Sequence, residues 1–217
     1  MLTRVFRSGR IVRAGLVALA AAVVLMTPPT GQARSGGPIV RIEQDWQLIV
    51  GSPDPNLCSP QLFIMLYPES GGSYSCQFLI NYNDQPKFSA GGVQIQVWQD
   101  GTVLDGADNS PNQAILQNDG ETVTFTLVME IKNGKLTFSA QNVSSPSFGD
   151  ISHLTTSVTY GPTDFSKYQT SDSVANSGIL FGSNRVTSLT LQQVRKIDQS
   201  GNVTTELPQV VYPSAGK

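Results

Sequence analysis

The chain carries little charge. Of its 217 residues only 14 % are Asp, Glu, Lys or Arg, against roughly 25 % in an average soluble protein. Lys and Arg together number 14 and Asp and Glu 16, so no basic stripe is present to grip a nucleic-acid backbone. Histidine occurs once, too few for a histidine-rich zinc site, and the two cysteines, Cys58 and Cys76, are not spaced as a Cys-x-x-Cys redox or zinc motif. No long stretch repeats apolar residues at helical spacing, and the Ala/Glu/Lys/Leu-rich composition of a coiled coil is missing. No unit of roughly 20–50 residues recurs, which excludes a repeat array. Hydrophobic residues stand at 39 % and recur with a period, which sets the chain apart from intrinsic disorder.

What is present begins with an address. Arg4, Arg7, Arg10 and Arg13 precede an uncharged run over residues 14–26, and the first acid is Glu43. Pro28 and Pro29 stop any helix there, and Gly31-Gln32-Ala33 supplies small residues at the two positions a signal peptidase reads. Thirteen residues rise only about 20 Å as a helix, short of a hydrocarbon core of ~30 Å, so residues 1–33 are expected to be a cleaved secretory signal rather than a retained anchor. No twin arginine and no cysteine near the cleavage point accompany it, which points to the general export route without lipidation. Residues 34–217 then carry net charge -6, which disfavours anionic membranes and nucleic acid. The expected location is secreted, periplasmic or cell-surface, with no stable membrane insertion after cleavage. In such a compartment Cys58 and Cys76 are expected to form a disulfide contributing about 3 kcal/mol.

The remainder reads as a procession of strands. Val40, Ile42, Gln44, Trp46, Leu48 and Val50 alternate with Arg41, Glu43, Asp45, Gln47 and Ile49. Residues 62–67 form an apolar run compatible with burial on both faces. Cys76, Phe78, Ile80 and Tyr82 alternate with Gln77, Leu79, Asn81 and Asn83, and Val93, Ile95 and Val97 with Gln94, Gln96 and Trp98. Asp100-Gly101 is a tight turn, residues 105–113 a polar loop, and residues 114–116 a short strand. Residues 122–131 and 136–140 flank Asn133-Gly134, the clearest hairpin in the chain. Leu154, Thr156, Val158 and Tyr160 alternate again, and residues 161–173 are polar with room for one helical turn. Residues 179–181, 186–194 (with a bulge), 203–206 and 210–212 complete the series. Some ten or eleven short strands separated by turns predict an all-β, two-sheet antiparallel sandwich or jelly roll, a single domain over 34–217 with its core at about 38–213.

Chemistry has few carriers. His153 sits out of phase with Leu154, Val158 and Tyr160, so it is expected on the solvent face, and no Gly-x-Ser-x-Gly elbow accompanies it. Glu43 and Asp45 share one strand face ~6.6 Å apart, a spacing that permits a glycosidase dyad. Asp105, Asp108 and Asn109 offer oxygen ligands that would suit calcium, although their spacing is not that of an EF-hand loop. Trp98 lies out of phase with the apolar set of its strand, and Tyr74 stands in a Gly/Ser loop. Aromatic faces stack on sugar rings, and the amides of Asn81, Asn83, Gln94 and Gln96 could hydrogen-bond hydroxyls.

The strand order resembles the concanavalin A-like jelly roll of lectins and laminin-G-type domains. Residues 41–48 would pair with residues 185–195, residues 91–98 resemble a central sheet strand, and the hairpin over 121–142 resembles the paired strands that face the ligand side. The resemblance is one of pattern and covers most of residues 34–217. It implies lectins, sugar hydrolases or matrix-adhesion modules as the functional range. The hydrolase branch carries Glu-x-Asp-x-x-Glu on one strand; here Glu43 and Asp45 are followed by Leu48 where the second Glu would stand. The metal loop of legume-type lectins has no counterpart, so no metal ligand is carried over.

The expectation is therefore an exported, non-catalytic module that binds carbohydrate or cell-surface matrix, with no obligatory cofactor beyond the weak calcium candidate. A surface structural protein with protein partners and a concanavalin A-like glycoside hydrolase are the alternatives.

Overall fold

A computed structural model describes residues 36–51, 60–81, 92–109, 116, 118–147, 149–151 and 153–212. The expected signal segment, Cys58, Asn83 and most of the expected strand at 114–116 lie outside these residues.

The alternating segments become strands whose apolar sides face each other. One sheet contains β1 (Ile39–Val50), β6 (Thr122–Lys132), β7 (Lys135–Ser145), β8 (Gly149–Ile151), β9 (Leu154–Thr159), β11 (Val186–Asp198), β12 (Val203–Glu206) and β13 (Gln209–Tyr212). Its order is β12-β11-β1-β6-β7-β8, with β13 also on β11 and β9 also on β7. The second sheet contains β2 (Gln61–Leu66), β3 (Tyr74–Ile80), β4 (Val93–Gln99), β5 (Thr102–Asn109) and β10 (Gly178–Phe181), in the order β10-β2-β3-β4-β5. Every pairing is antiparallel. The result is a two-sheet β-sandwich, as the strand periodicity predicts. The segments at 41–48 and 185–195 do pair, as β1 with β11.

Ile42, Trp46, Leu48, Phe125 and Leu127 of the eight-stranded sheet meet Leu62, Ile64, Phe78, Ile95 and Val97 of the five-stranded sheet, all essentially without exposure. Phe78 and Phe125 touch across the interface with centroids 4.6 Å apart. Burial of such side chains stabilises a fold by roughly 1.5–3 kcal/mol each, as an upper figure. One polar chain runs through this core: Trp46 Nε1 donates to Gln44 Oε1 at 2.9 Å, and Gln44 Nε2 to the Tyr168 hydroxyl at 2.7 Å. The segment around α1 (Thr170–Ala175) is the helical turn expected in the polar stretch at 161–173.

Turn chemistry agrees with the backbone. Asn133 and Gly134 take φ of 53° and 71°, and Asp100 and Gly101 take 48° and 78°, the left-handed pairs of tight hairpin turns. The bulge read from the phase of residues 186–194 falls at Gln192, which the register skips between Gln193 and Leu191.

Three expectations need correction. Residues 105–109 belong to strand β5, because their backbone pairs with β4 from Asp105↔Val97 to Asn109↔Val93. Strand β2 is not buried on both faces: Phe63 and Met65, on its outer side, are only half-buried. Cys76 is a free, fully buried thiol on the inner face of β3, and no disulfide is formed among the described residues. Burial pushes that thiol far above its ordinary value, so it is an unreactive core group.

Candidate functional site

The outer faces of the two sheets differ in what their polar groups are already doing.

On the eight-stranded sheet, the odd residues of β1 point outward and are locked in a ladder. Arg41 bonds Glu43 at 2.7 Å and Glu130 at 2.9 Å. Arg195 reaches across from β11 to Glu43 at 2.7 Å and also grips Asp45. Thr126 donates to Asp45 at 2.8 Å. Burial opposes ionisation of Glu43, but its bonds to Arg195 and Arg41 outweigh that and hold its carboxyl below the usual range. A glycosidase acid needs the opposite, a raised value. The Glu43–Asp45 pair is therefore on one face, as its spacing predicts, yet spent on a shared guanidinium.

His153 is exposed just before β9, as expected. Ser144, Asp150 and His153 line one hollow of about 410 Å³ on this sheet. Among the described residues no hydrogen bond joins the histidine to either partner, so the relay of a catalytic triad is not assembled.

On the five-stranded sheet, three transverse rows emerge from the strand register. Phe63, Leu79, Gln94 and Asp108 form one, Met65, Gln77, Gln96 and Gly106 the next, and Ser75, Trp98 and Val103 the third. Alternation places them there because Leu62, Ile64, Cys76, Phe78, Val93, Ile95 and Val97 take the inner side. Trp98, Gln94 and Gln96 thus share a face, and Trp98 is half-buried rather than sunk in the core. Its Nε1 is covered and has no hydrogen-bond partner among the described residues. The side-chain amides of Gln77, Gln94 and Gln96 make no hydrogen bond among the described residues. Phe63, Met65, Leu79 and Gln77 complete the face; their odd-number phase in the strands was the available signal, hidden at 62–67 by an unbroken apolar run.

The other expected ligand residues lie elsewhere. Tyr74 opens β3 on the inner phase, edge-on to Tyr160 with centroids 5.0 Å apart. Asn81 is fully buried at φ 59° and donates to the Pro60 carbonyl at 2.9 Å, a backbone-shaping role. Asn83 lies outside the described residues.

The calcium trio is dispersed. Asp105 and Asn109 lie on the inner phase of β5 and Asp108 on the outer, because three residues along a strand reverse the face. Asp105 accepts from Thr156 Oγ1 at 2.6 Å, tying β5 to β9 across the sandwich edge. That bond, with backbone donors from Gly106 and Ser157, holds its carboxyl below the usual range. Among the described residues no three His, Cys, Asp or Glu side chains converge on a metal position. Nor is any helix among them long and apolar enough to cross a membrane.

Fold and face together define a two-sheet antiparallel β-sandwich with one open aromatic–amide surface. No family model matches the chain, and no curated protein matches it.

Proposed function

We propose that the protein is an exported, non-catalytic module of concanavalin A-like type that binds carbohydrate, or the sugar of a cell-surface matrix, on the outer face of its five-stranded sheet. The observation that carries this is the trio Gln77, Gln94 and Gln96, with amides unengaged among the described residues, on the same sheet face as the half-buried Trp98. A sugar presents flat C–H faces and neutral hydroxyls. An indole face stacks on the first, and amides donate to and accept from the second. Side chains in these rows are almost all uncharged, which matches a neutral ligand better than a nucleic acid or an anionic membrane. The half-exposed apolar side chains Phe63, Met65 and Leu79 extend the stacking surface. The hydrolase reading is disfavoured by the Arg195 clamp on Glu43 and Asp45.

The test is binding of the purified protein to a broad polysaccharide array, in buffer with and without calcium. Saturable binding that is lost in Trp98→Ala, while the variant melts like the wild type, supports the assignment. Absence of binding to every polysaccharide removes it and favours a structural surface protein. For that second reading the relevant observation is the pair of exposed edge side chains Leu180 and Phe181, at 50 % and 41 % exposure.

A further inference from the structure

The turn joining β2 to β3 and the helix α1 flank a hollow of about 300 Å³. That volume is at the lower end of small-ligand sites. Tyr67, Ser70, Gly71 and Gly72 line it from the turn, and Asp172 and Asn176 line it from α1 and its C-terminal cap. Both sides are pinned. Gly71 takes φ 68°, and Gly72 N donates to the Glu69 carbonyl at 3.0 Å, which closes the turn. Ser70 N donates to the Lys167 carbonyl at 3.0 Å, and the Lys167 ammonium pairs with Glu69. Just past the end of α1, Ser177 Oγ accepts from Met65 N of β2 at 2.9 Å and donates to the Ser173 carbonyl at 2.6 Å. A site whose walls are already fixed loses little conformational freedom when a ligand enters.

The lining is rich in acceptors. Asp172 is half-buried, yet among the described residues no donor reaches its carboxylate. Every other buried or half-buried carboxylate among them, from Glu43 to Glu206, accepts a hydrogen bond or an ion pair. The first-turn position of Asp172 in α1 favours its charge without using up its lone pairs. That charge is felt at Tyr67: burial first, and then Asp172, hold the phenol above its ordinary value, so the hydroxyl keeps its proton. Among the described residues no hydrogen bond joins the two side chains. Asn176 Nδ2 donates to the Asp172 carbonyl at 2.8 Å, which leaves Asn176 Oδ1 as an acceptor. No Lys, Arg or His is among the lining residues. A positive group with several N–H donors fits such a set, and a primary ammonium is one. Calcium is served poorly, since it takes about six to eight oxygens and the described residues hold no cluster of three acidic, His or Cys side chains.

We propose that this hollow binds a hexosamine through its free ammonium group, with Asp172 as the counter-charge. Its volume argues for a sugar as the carrier of the amine: a whole ring fits, whereas a lysine stem would leave most of the space empty. Ser70 and the backbone at Gly71 and Gly72 supply partners for ring hydroxyls. The site is separate from the Trp98 face and does not rest on the reading above; either stands if the other fails.

The experiment is amide NMR titration of the purified protein with glucosamine, glucose, N-acetylglucosamine and a lysine with blocked backbone ends. Mildly acidic buffer keeps the amines protonated. The expected result is saturable shifts at Gly71, Gly72, Asp172 and Asn176 with glucosamine. Glucose and N-acetylglucosamine, which lack the ammonium, should bind about tenfold more weakly or worse. Asp172→Asn, near in shape and checked by thermal unfolding, should weaken glucosamine about tenfold, and Tyr67→Phe about threefold. Trp98→Ala should leave glucosamine within about twofold of wild type. Glucosamine that binds no better than glucose, or equally well to folded Asp172→Asn, overturns the site. A blocked lysine that binds as tightly as glucosamine overturns the sugar as the carrier and favours a protein partner. Should Asp172→Asn unfold, the preference of the wild type for glucosamine over N-acetylglucosamine at these four amides decides.

Discussion

The two outer faces of this sandwich both carry long polar side chains, charged on one and amide on the other, and end in opposite states. On the eight-stranded sheet the long polar side chains satisfy one another: Arg195 serves Glu43 and Asp45, Arg41 serves Glu43 and Glu130, and Gln192 donates to Gln47 at 3.3 Å. On the five-stranded sheet Gln77, Gln94 and Gln96 have no such partners among the described residues, and an indole lies beside them. A face whose hydrogen bonds are already made offers a ligand little. One whose amides are exchanged only with water can trade those bonds for a ligand's at small net cost. The expected ligand residues Trp98, Gln94 and Gln96 fall on the second face.

The largest expected difference between the faces is in binding. Trp98→Ala should weaken glycan affinity about 30-fold, or about 2 kcal/mol, the loss typical of a stacked aromatic anchor. Arg195→Ala on the opposite face should leave affinity within twofold. If Arg195→Ala abolishes binding and Trp98→Ala does not, the faces have been assigned the wrong way round.

Stability should respond in the reverse sense. Arg195→Ala leaves Glu43 with Arg41 and Asp45 with the Thr126 hydroxyl but removes their shared guanidinium, and should cost about 1 kcal/mol in urea unfolding because the pair is partly solvated. Gln96→Ala should leave the urea midpoint unchanged and weaken glycan binding about fivefold, or about 1 kcal/mol.

The smallest effect is a pH dependence. Glu43 ionises more readily in the folded chain than at its ordinary value of 4.5, since its bonds to Arg195 and Arg41 outweigh burial. Its stabilising contribution is complete above that value and is lost as pH falls through the lower folded value. Glu121 behaves alike: burial opposes its ionisation, but bonds from Ser145, Ser147 and the Asn118 backbone prevail. Melting temperature should therefore drop on acidification below about pH 4.5, and drop less in Glu43→Gln. An equal drop in both proteins would remove Glu43 from the account.

Much of this was legible in the sequence, for reasons that are local. The alternation in residues 40–50, the Asn133-Gly134 turn and the bulge near Gln192 are written in side-chain periodicity and turn chemistry, and each appears in the fold. Trp98, Gln94 and Gln96 share a face for the same reason, a period of two. What failed depends on contacts distant in the chain. Asp105 looked like a loop ligand until pairing with β4 made it a strand residue and Thr156, 51 positions away, claimed its carboxylate. The Glu43–Asp45 pair looked available until Arg195, about 150 residues on, closed over both. Tyr74 and Asp105, read as parts of unrelated candidates, line one hollow only because β3, β5 and β9 converge there.

The most direct test of the central claim is backbone-amide NMR of the purified protein titrated with whichever glycan it binds best. The account expects saturable shifts concentrated on outward residues of β3 and β4, Gln77, Gln94, Gln96 and Trp98 above all, with β1 and β6 silent. Shifts confined to β1, β6 and β11 around Arg195 and Gln47 would contradict it and return the ligand to the eight-stranded face.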